Sequence, residues 1–386
     1  MQEAGSHHGS RLGPTVDDIL KLHRGAGPGF DFWRFFLSIS IIFLHSFHVA
    51  YGTVAGGAQV SFLSPFFAAI LPIFFGLSGF LVAGSAIRTA SVKVFLGFRA
   101  LRLMPALAVE VTLSALLLGP LLTTEPLLTY FTSHDFWTYW GNIVGRIRFN
   151  LPGMFEDNPV PRIVNLNLWT LHAEILCYAI LATAMIIGLL KHRRVALLLW
   201  LLVSTLMLAL SFALGWFVRV DLYPQSIWIY AFCTGVIAFL WRDRIRLSPF
   251  LLAFAVVAYL ALYALPALSV LAVVPMMYIM IWVGMQSRLA AKIFKKGDYS
   301  YGLYLYGYVI QQTLALAFPS LREWWFIFPA ALILTLLFAI ISWHLVEKPA
   351  LKFKRHLSPH AAKPPGTDHP HEQGNADIKR LDAALK

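Results

Sequence analysis

Charged residues are scarce in this sequence. Asp, Glu, Lys and Arg make up 13% of its 386 residues, against 58% hydrophobic residues and a mean hydropathy of +0.68. Globular domains carry about 25% charged residues, so this chain cannot cover a water-facing surface, and an ordinary soluble domain is excluded. Its two cysteines, Cys177 and Cys233, are too few for a disulfide framework or a cysteine-rich metal site. We therefore expect neither a bound metal ion nor a permanently bound cofactor.

Long apolar runs take the place of the missing charge. The run from Val195 to Val218 exceeds the ~20 residues that span hydrocarbon. The short alternating segments of a transmembrane barrel are absent, and no apolar N-terminal stretch with a cleavage site suggests a signal peptide. The sequence thus predicts an all-α, polytopic transmembrane helical bundle. Its ten predicted spans are 32–51, 61–84, 99–120, 166–189, 195–218, 225–241, 249–265, 267–286, 299–318 and 325–346.

Lys and Arg are distributed unevenly between these spans. Of the 31, 25 fall in segments on the side that holds both termini, five fall on the other side, and Arg34 lies in the first span. Because cytoplasmic loops of membrane proteins carry the excess of Lys and Arg, both termini are predicted to be cytoplasmic. The net charge of +12 is then a topology signal and does not indicate a nucleic-acid partner.

This topology divides the chain into three parts. Residues 1–30 form a cytoplasmic N-terminal segment, 31–354 the transmembrane domain, and 355–386 a polar, Pro-rich cytoplasmic tail that we expect to be disordered. The one long outer connection, 121–165, contains the aromatic stretch HDFWTYWGNIVGRIRF. Its aromatic residues suit a helix at the membrane surface or an aromatic belt, and either a capping or a substrate-binding role fits.

The first predicted span carries Arg34 and His45, eleven residues apart. In an α-helix this spacing leaves the two side chains about 20° apart around the axis and about 16 Å apart along it. Taken singly, the two residues have simple explanations. The Arg34 side chain can extend to the inner membrane interface, and His45 can be a packed residue that makes a hydrogen bond inside the bundle. Together they favour a polar track through the bundle, because ionisable residues inside a membrane face away from lipid.

Two further motifs extend this track. FRALRLMP places Arg99 and Arg102 at the inner start of the third span. They are either interface anchors or a clamp for a phosphate-bearing ligand, because guanidinium groups match phosphate oxygens. In LWTLHAEILCY, Glu174 and Tyr178 share a helical face.

The Glu174 carboxylate needs a partner, for which His172 and His45 are the options. The resulting pair is either structural or a general-base histidine oriented by a carboxylate.

Two other stretches have simpler interpretations. FFGLSGFL places Gly76, Ser78 and Gly79 in the second span, where small residues allow close contact between helices. Glu347, at the inner end of the last span, is expected to pair with a nearby cation.

In these motifs the sequence resembles the acyltransferase 3 family of integral-membrane O-acyltransferases over residues 28–352. The motifs that carry the resemblance are Arg34 with His45 after ten residues, the Arg-x-x-Arg of Arg99 and Arg102, FFGLSGFL, LWTLHAE with Trp169, and EKP from Glu347 to Pro349. One position departs from the family: SYGLYLYG has Gly307 where a histidine often stands. The departure leaves His45 as the histidine on which we concentrate the chemistry.

The resemblance implies transfer of an acyl group, most often acetyl, from cytoplasmic acyl-CoA to a hydroxyl of a cell-surface carbohydrate such as an exopolysaccharide, or of a glycolipid. It implies a multi-pass protein of the bacterial inner membrane. His45 and Glu174 would be catalytic, and Arg34, Arg99 and Arg102 would bind the donor. Supporting roles would fall to Ser78, Trp169, Tyr178 and Glu347.

A different class of protein also fits the polar residues. A proton-coupled transporter could use His45 and Glu174 as a relay. Secondary transporters usually show inverted repeats with interrupted helices, and this sequence shows no internal repeat.

Overall fold

The computed structural model describes residues 13–23, 25, 27–89, 91–214, 225–286 and 297–357. Within these ranges the secondary structure is helical, with no strand and a single isolated bridge between Thr15 and Arg246. The predicted all-α class is confirmed for this part of the chain. The predicted inner segment 287–296 and most of the predicted tail, 358–386, lie outside the described residues.

Seventeen α-helices follow one another in the described ranges. They are α1 (Val16–Leu22), α2 (Phe30–Tyr51), α3 (Thr53–Gln59), α4 (Ser64–Thr89), α5 (Val92–Leu113), α6 (Gly119–Leu122), α7 (Leu127–Thr132), α8 (His134–Tyr139), α9 (Trp169–Ile186), α10 (Arg193–Leu214), α11 (Gln225–Leu240), α12 (Pro249–Ala264), α13 (Val273–Gly284), α14 (Ser300–Ala317), α15 (Trp324–Ser342), α16 (Lys348–Lys352) and α17 (Lys354–Leu357).

Seven helical stretches in the described ranges are long and apolar enough to cross a membrane, which makes this a multi-pass membrane protein. They are Phe30–Tyr51, Ser61–Thr89, Val92–Leu122, Leu166–Ile186, Arg193–Ala213, Pro266–Gly284 and Trp324–Leu357. The other three predicted spans coincide with α11 and α12, apolar helices of 16 residues each, and with α14, of 18 residues. The number of ten spans stays a prediction.

Helices α4 and α11 make an especially close contact. A Cβ added to Gly79 would collide with the carbonyl oxygen of Phe232, and one added to Gly235 would collide with that of Gly76. The two backbones can approach this closely only because the contact positions have no side chain. The small residues of FFGLSGFL therefore have the packing role that the sequence predicts, and they fix α11 beside the centre of the bundle.

The outer connection 121–165 is anchored to α14. Asn158 Nδ2 donates to Gln312 Oε1 over 2.9 Å, and Gln312 Nε2 donates to the carbonyl oxygens of Val160 and Ile163 over 2.8 Å each. Within the connection the predicted aromatic helix is α8, whose Tyr139 is buried while Trp137 is exposed. These contacts tie the connection to the bundle.

A widened helical turn shapes the other end of the bundle. After α15 the chain passes through a π-helical turn, Trp343–Glu347, before α16. Such turns insert an extra residue into the helix and are frequent at functional sites. Here the turn leaves the Glu347 side chain only 2% exposed, beside Arg102 of α5.

Candidate active site

A cavity of about 320 Å³ lies within the bundle, between α2, α4, α5, α9 and α14. Its volume is at the lower end of the range for small-molecule sites. Its polar lining residues include Arg34, Ser78, Arg99, Arg102, Asn167, Thr170, Glu174, Tyr178, Asp298, Tyr301, Tyr304 and Lys354. Most of the residues that the motifs single out thus reach one internal space.

Asp298 organises the end of the cavity where the cations gather, which we call the cationic end (Arg34, Arg99, Arg102 and Lys354). Its carboxylate oxygen Oδ2 lies 2.9 Å from Arg34 Nη1 and 2.6 Å from Arg102 Nη2. The other oxygen, Oδ1, accepts a hydrogen bond of 2.5 Å from the Ser300 hydroxyl. One carboxylate therefore ties α2 and α5 to the start of α14.

The Asp298 carboxyl lies in the irregular segment 297–299, ahead of α14. Burial acts to raise its pKa, but the guanidinium groups of Arg34 and Arg102 outweigh burial and hold the pKa below its ordinary value. The carboxyl is consequently ionised at neutral pH.

Arg102 is shared between two carboxylates. Besides Asp298 it contacts Glu347, whose Oε2 lies 3.2 Å from Arg102 Nη1. The Ser342 hydroxyl donates to the second oxygen of Glu347 over 3.3 Å. The cation pair that the sequence predicts for Glu347 is present, and Arg102 is held by two partners.

The remaining cations of the cavity are not held in this way. The Nε atom of Arg99 is buried without a hydrogen-bond partner among the described residues. Lys354 stacks its ammonium group 5.5 Å from the centre of the Phe98 ring. Of the three arginines predicted to bind the donor, Arg34 and Arg102 have protein carboxylates as partners. Among the described residues no carboxylate pairs with Arg99 or Lys354, so these two cations of the cavity are open to an anionic ligand there.

Glu174 lies farther along the cavity wall. Its Oε1 accepts a hydrogen bond of 2.5 Å from the Tyr178 hydroxyl, one helical turn away. The sequence suggests His172 or His45 as its partner, but the structure shows Tyr178 in that position, and His172 is exposed. The shared face of Glu174 and Tyr178 is as predicted.

The opposite end of the cavity is bounded by Asn167, Thr170 and Tyr304. The hydroxyls of Thr170 and Tyr304 are 2.6 Å apart, and Asn167 Nδ2 donates to the Tyr304 carbonyl oxygen over 2.5 Å. The Asn167 Oδ1 atom is buried with no partner among the described residues. An unpartnered acceptor beside an internal cavity is a group that a ligand can satisfy.

His45 is not among the residues that line this cavity. It is 9% exposed, and its Nδ1 is buried without a partner in the described part of the chain. Its ring lies edge-on to Tyr308, with centroids 5.2 Å apart, and 6.1 Å from the ring of His48. Tyr308 is one helical turn beyond Tyr304 on α14, so the imidazole lies about one turn past the cavity.

An apolar layer comes between the cavity and His45 along α2. Leu37 and Ile41 pack with Ile70 of α4, and this cluster contacts Phe74 and Tyr304, which line the cavity. The polar track that the spacing of Arg34 and His45 predicts is thus interrupted by apolar side chains.

Sequence reasoning missed Asp298, Lys354 and Tyr304. Asp298 stands two residues before the SYGLYL stretch. An acidic residue at the edge of a predicted span, in a chain whose other spans carry arginines, is the available signal. In the sequence, Lys354 is one of the many cations that indicate membrane topology, and nothing local marks it as a cavity residue. Trp169, which is predicted to have a supporting role, packs edge-on against Trp228 with ring centroids 4.6 Å apart.

The chain is a multi-pass helical membrane protein with an internal cavity, and comparison with known proteins identifies its class. A family model described as an acyltransferase domain matches residues 28–344. The chain belongs to this family, the acyltransferase 3 family, and it is an O-acyltransferase. Family membership leaves the transporter alternative without support.

Two curated relatives match over most of their length. Nodulation protein 10 of Rhizobium leguminosarum bv. viciae is 28% identical over 364 residues, covering 85% of this chain and 94% of that protein. An O-acetyl transferase of Shigella phage Sf6 is 28% identical over 303 residues, covering 72% and 82% respectively. No solved structure matches the chain.

The Asp298 contacts predict a large loss of stability on substitution. Asp298→Asn leaves two partly buried guanidinium groups short of a counter-charge, and breaking a buried pair costs about 3–5 kcal/mol. The melting temperature of the purified protein in detergent should fall clearly. The pKa of Asp298 is lowered in the folded state. The difference in melting temperature between wild type and Asp298→Asn should therefore be largest at neutral pH and should diminish below about pH 4.

Asp243→Asn is the matched control, because Asp243 pairs with Arg193 at the surface, where both side chains are about 40% exposed. Surface pairs contribute about 0–1 kcal/mol, so this control should melt like wild type. Equal losses in the two variants would contradict the central role of Asp298.

Proposed function

We propose that the protein transfers an acyl group, in the first instance acetyl, from cytoplasmic acyl-CoA to a hydroxyl group of a cell-surface or exported carbohydrate. Family membership and the relative named O-acetyl transferase support the reaction type. The observation that carries the proposal is the cavity, which joins unpaired cations at one end to a carboxylate and aromatic side chains farther in. This arrangement suits an anionic carrier with a narrow arm.

The proposed topology gives the cavity its direction. With ten spans and both termini in the cytoplasm, the cationic end faces inward, and His45 lies in the outer half of the membrane. The distribution of Lys and Arg supports this orientation. The protein would then be a multi-pass component of a bacterial inner membrane, reached by the donor from the cytoplasm and by the acceptor from outside.

In this orientation the phosphates of the donor bind Arg99 and Lys354. Guanidinium and ammonium groups are the usual ligands of phosphate, and these two are not committed to a described carboxylate. The pantetheine arm of the donor would extend past Glu174 and Tyr178. Glu174 contacts Tyr178 rather than His45. We therefore assign Glu174 a role in binding the donor, in which its carboxylate accepts hydrogen bonds from the amide N–H groups of the pantetheine arm.

His45 is the proposed general base. The acceptor hydroxyl oxygen attacks the thioester carbonyl carbon while its proton passes to the imidazole. The new C–O bond replaces the C–S bond, and the proton is delivered to the departing thiolate to give free coenzyme A. An imidazole that is first acylated and then passes the acyl group on is the other route for the same residue. Both routes require side chains of the apolar layer to move aside when the substrates are bound.

Replacing His45 tests the proposed chemistry. His45→Ala should lower acyl transfer by about 10²–10⁴-fold, the usual contribution of a general base. The measurement is the O-acetyl content of surface glycans, by mass spectrometry, in a deletion strain complemented with each variant. His172→Ala, which changes an exposed histidine on α9, should restore wild-type acetylation. Substantial acetylation with membrane-inserted His45→Ala protein would refute the catalytic assignment.

The division between paired and unpaired arginines gives a second prediction. Arg99→Ala should raise the KM for acyl-CoA about 10-fold to 100-fold, since hydrogen bonds to charged groups contribute about 1.5–3 kcal/mol. Arg102→Ala should instead lower the melting temperature, because it strands the buried Glu347. The exposed Arg244 provides the control substitution to Ala. An unchanged KM in Arg99→Ala would rule out donor binding there.

The proposed topology can be checked with single cysteines in a background where Cys177 and Cys233 are replaced by Ser. Asp135→Cys, in α8, should react with a membrane-impermeant maleimide in spheroplasts. His192→Cys, in the predicted inner segment before α10, should react only after lysis. Reversed labelling would overturn the orientation, and with it the inward direction of the cationic end.

A further inference from the structure

A second cavity, of about 470 Å³, lies between α9, α10 and α11. Its walls are almost entirely apolar and include Leu181, Met207, Ile229 and Val236. On the α10 side, Leu199 and Val203 also line it and are 45% and 46% exposed, so the space is open to the outside of the bundle there. We call it the apolar chamber. It belongs to no part of the site described above, and its lining offers hydrocarbon contacts without charged groups.

Phe232 of α11 lines both the catalytic cavity and the apolar chamber. Its side chain is only 1% exposed, so it fills the partition between the two spaces. On the cavity side its ring packs against Tyr178, with centroids 6.3 Å apart and planes at 70°. Tyr178 is the residue that holds Glu174, so the partition stands directly beside the predicted path of the donor.

The position of this partition is rigidly fixed by the backbone. The Phe232 carbonyl oxygen lies against Gly79 of α4, with no room for a single added carbon. Helix α11 cannot shift toward α4 at this level. The size of the side chain at position 232 therefore decides whether the two spaces are separate or joined.

The catalytic cavity also has apolar lining residues besides Tyr178 and Glu174. Phe75 and Leu171 line it together with Phe232. In the donor complex, before the apolar layer moves aside and the thioester reaches His45, the phosphates lie at the cationic end and the acyl group lies in the part of the cavity beside Phe232. The acyl group then ends against the Phe232 ring, beyond which lies space for a longer chain.

We infer that Phe232 sets the length limit of the acyl group by closing the catalytic cavity against the apolar chamber. The inference rests on the proposed function and names the property of the donor that this site selects. The bonds made and broken are those of the proposed reaction whatever the chain length, so only the space for the chain differs.

Binding of acyl-CoA thioesters tests the inference without knowledge of the acceptor. The purified full-length protein in detergent is titrated with coenzyme A, acetyl-CoA and octanoyl-CoA in competition with radiolabelled acetyl-CoA. Wild type should prefer acetyl-CoA. Phe232→Ala should shift the ratio of the two dissociation constants toward octanoyl-CoA by at least about tenfold, since even one methylene in an apolar pocket discriminates by about 10–200-fold.

Phe239→Ala is the matched control. Phe239 is a buried phenylalanine on the same helix that packs on Phe80 and lines neither cavity. Phe239→Ala should keep the wild-type ratio of the two dissociation constants. Phe232→Leu removes less volume than Phe232→Ala and should also shift the ratio toward octanoyl-CoA. This second variant covers the case in which Phe232→Ala does not fold.

Two negative outcomes are distinguishable. If acetyl-CoA binds wild type and neither Phe232 variant shifts the ratio, or the control shifts it equally, the inference fails and the proposed donor stands. If folded wild type binds none of the three compounds, the proposed donor is wrong and the length limit falls with it.

Discussion

The contact of Asp298 with Arg34 and Arg102 is the constraint on which the rest of the site depends. The three side chains come from α2, α5 and the segment ahead of α14, which lie far apart in the sequence. Unpaired, each charge would bear a large desolvation penalty in the membrane. Paired, the charges fix the relative positions of three long helices. Glu347 extends the same network to the turn after α15.

This network also divides the cations by task. Arg34 and Arg102, which the motifs predict to bind the donor, already have carboxylate partners in the protein, and both line the cavity. Arg99, three residues before Arg102, has no such partner at its Nε. Adjacent turns of one helix thus bring two guanidinium groups to the cavity, and only the structure shows that Arg102 has carboxylate partners.

Much of this arrangement could be predicted from the sequence, because it depends on local spacing. Long apolar runs gave the helices, and Gly76, Ser78 and Gly79 indicated a close helix contact. The shared face of Glu174 and Tyr178 follows from their separation by one turn. Each of these depends on residues within a few turns of one another, where helical geometry leaves little freedom.

The remaining features depend on contacts between distant segments. Asp298 meets Arg34 across 264 residues, and no local pattern specifies that pairing. The place of His45 relative to the cavity was likewise beyond the spacing argument. Helical geometry correctly aligns Arg34 and His45 on α2, but Ile70 of α4 packs on Leu37 and Ile41 and completes an apolar layer between them.

The apolar layer of Leu37, Ile41 and Ile70 has a consequence for the cell. A water-filled passage lined by ionisable groups would let protons flow down the membrane potential, which drives each charge with about 2.3 kcal/mol per 100 mV. Packed hydrocarbon side chains insulate the two aqueous compartments from each other while the enzyme rests. We expect a variant with polar residues in this layer to leak current even when it no longer acylates anything.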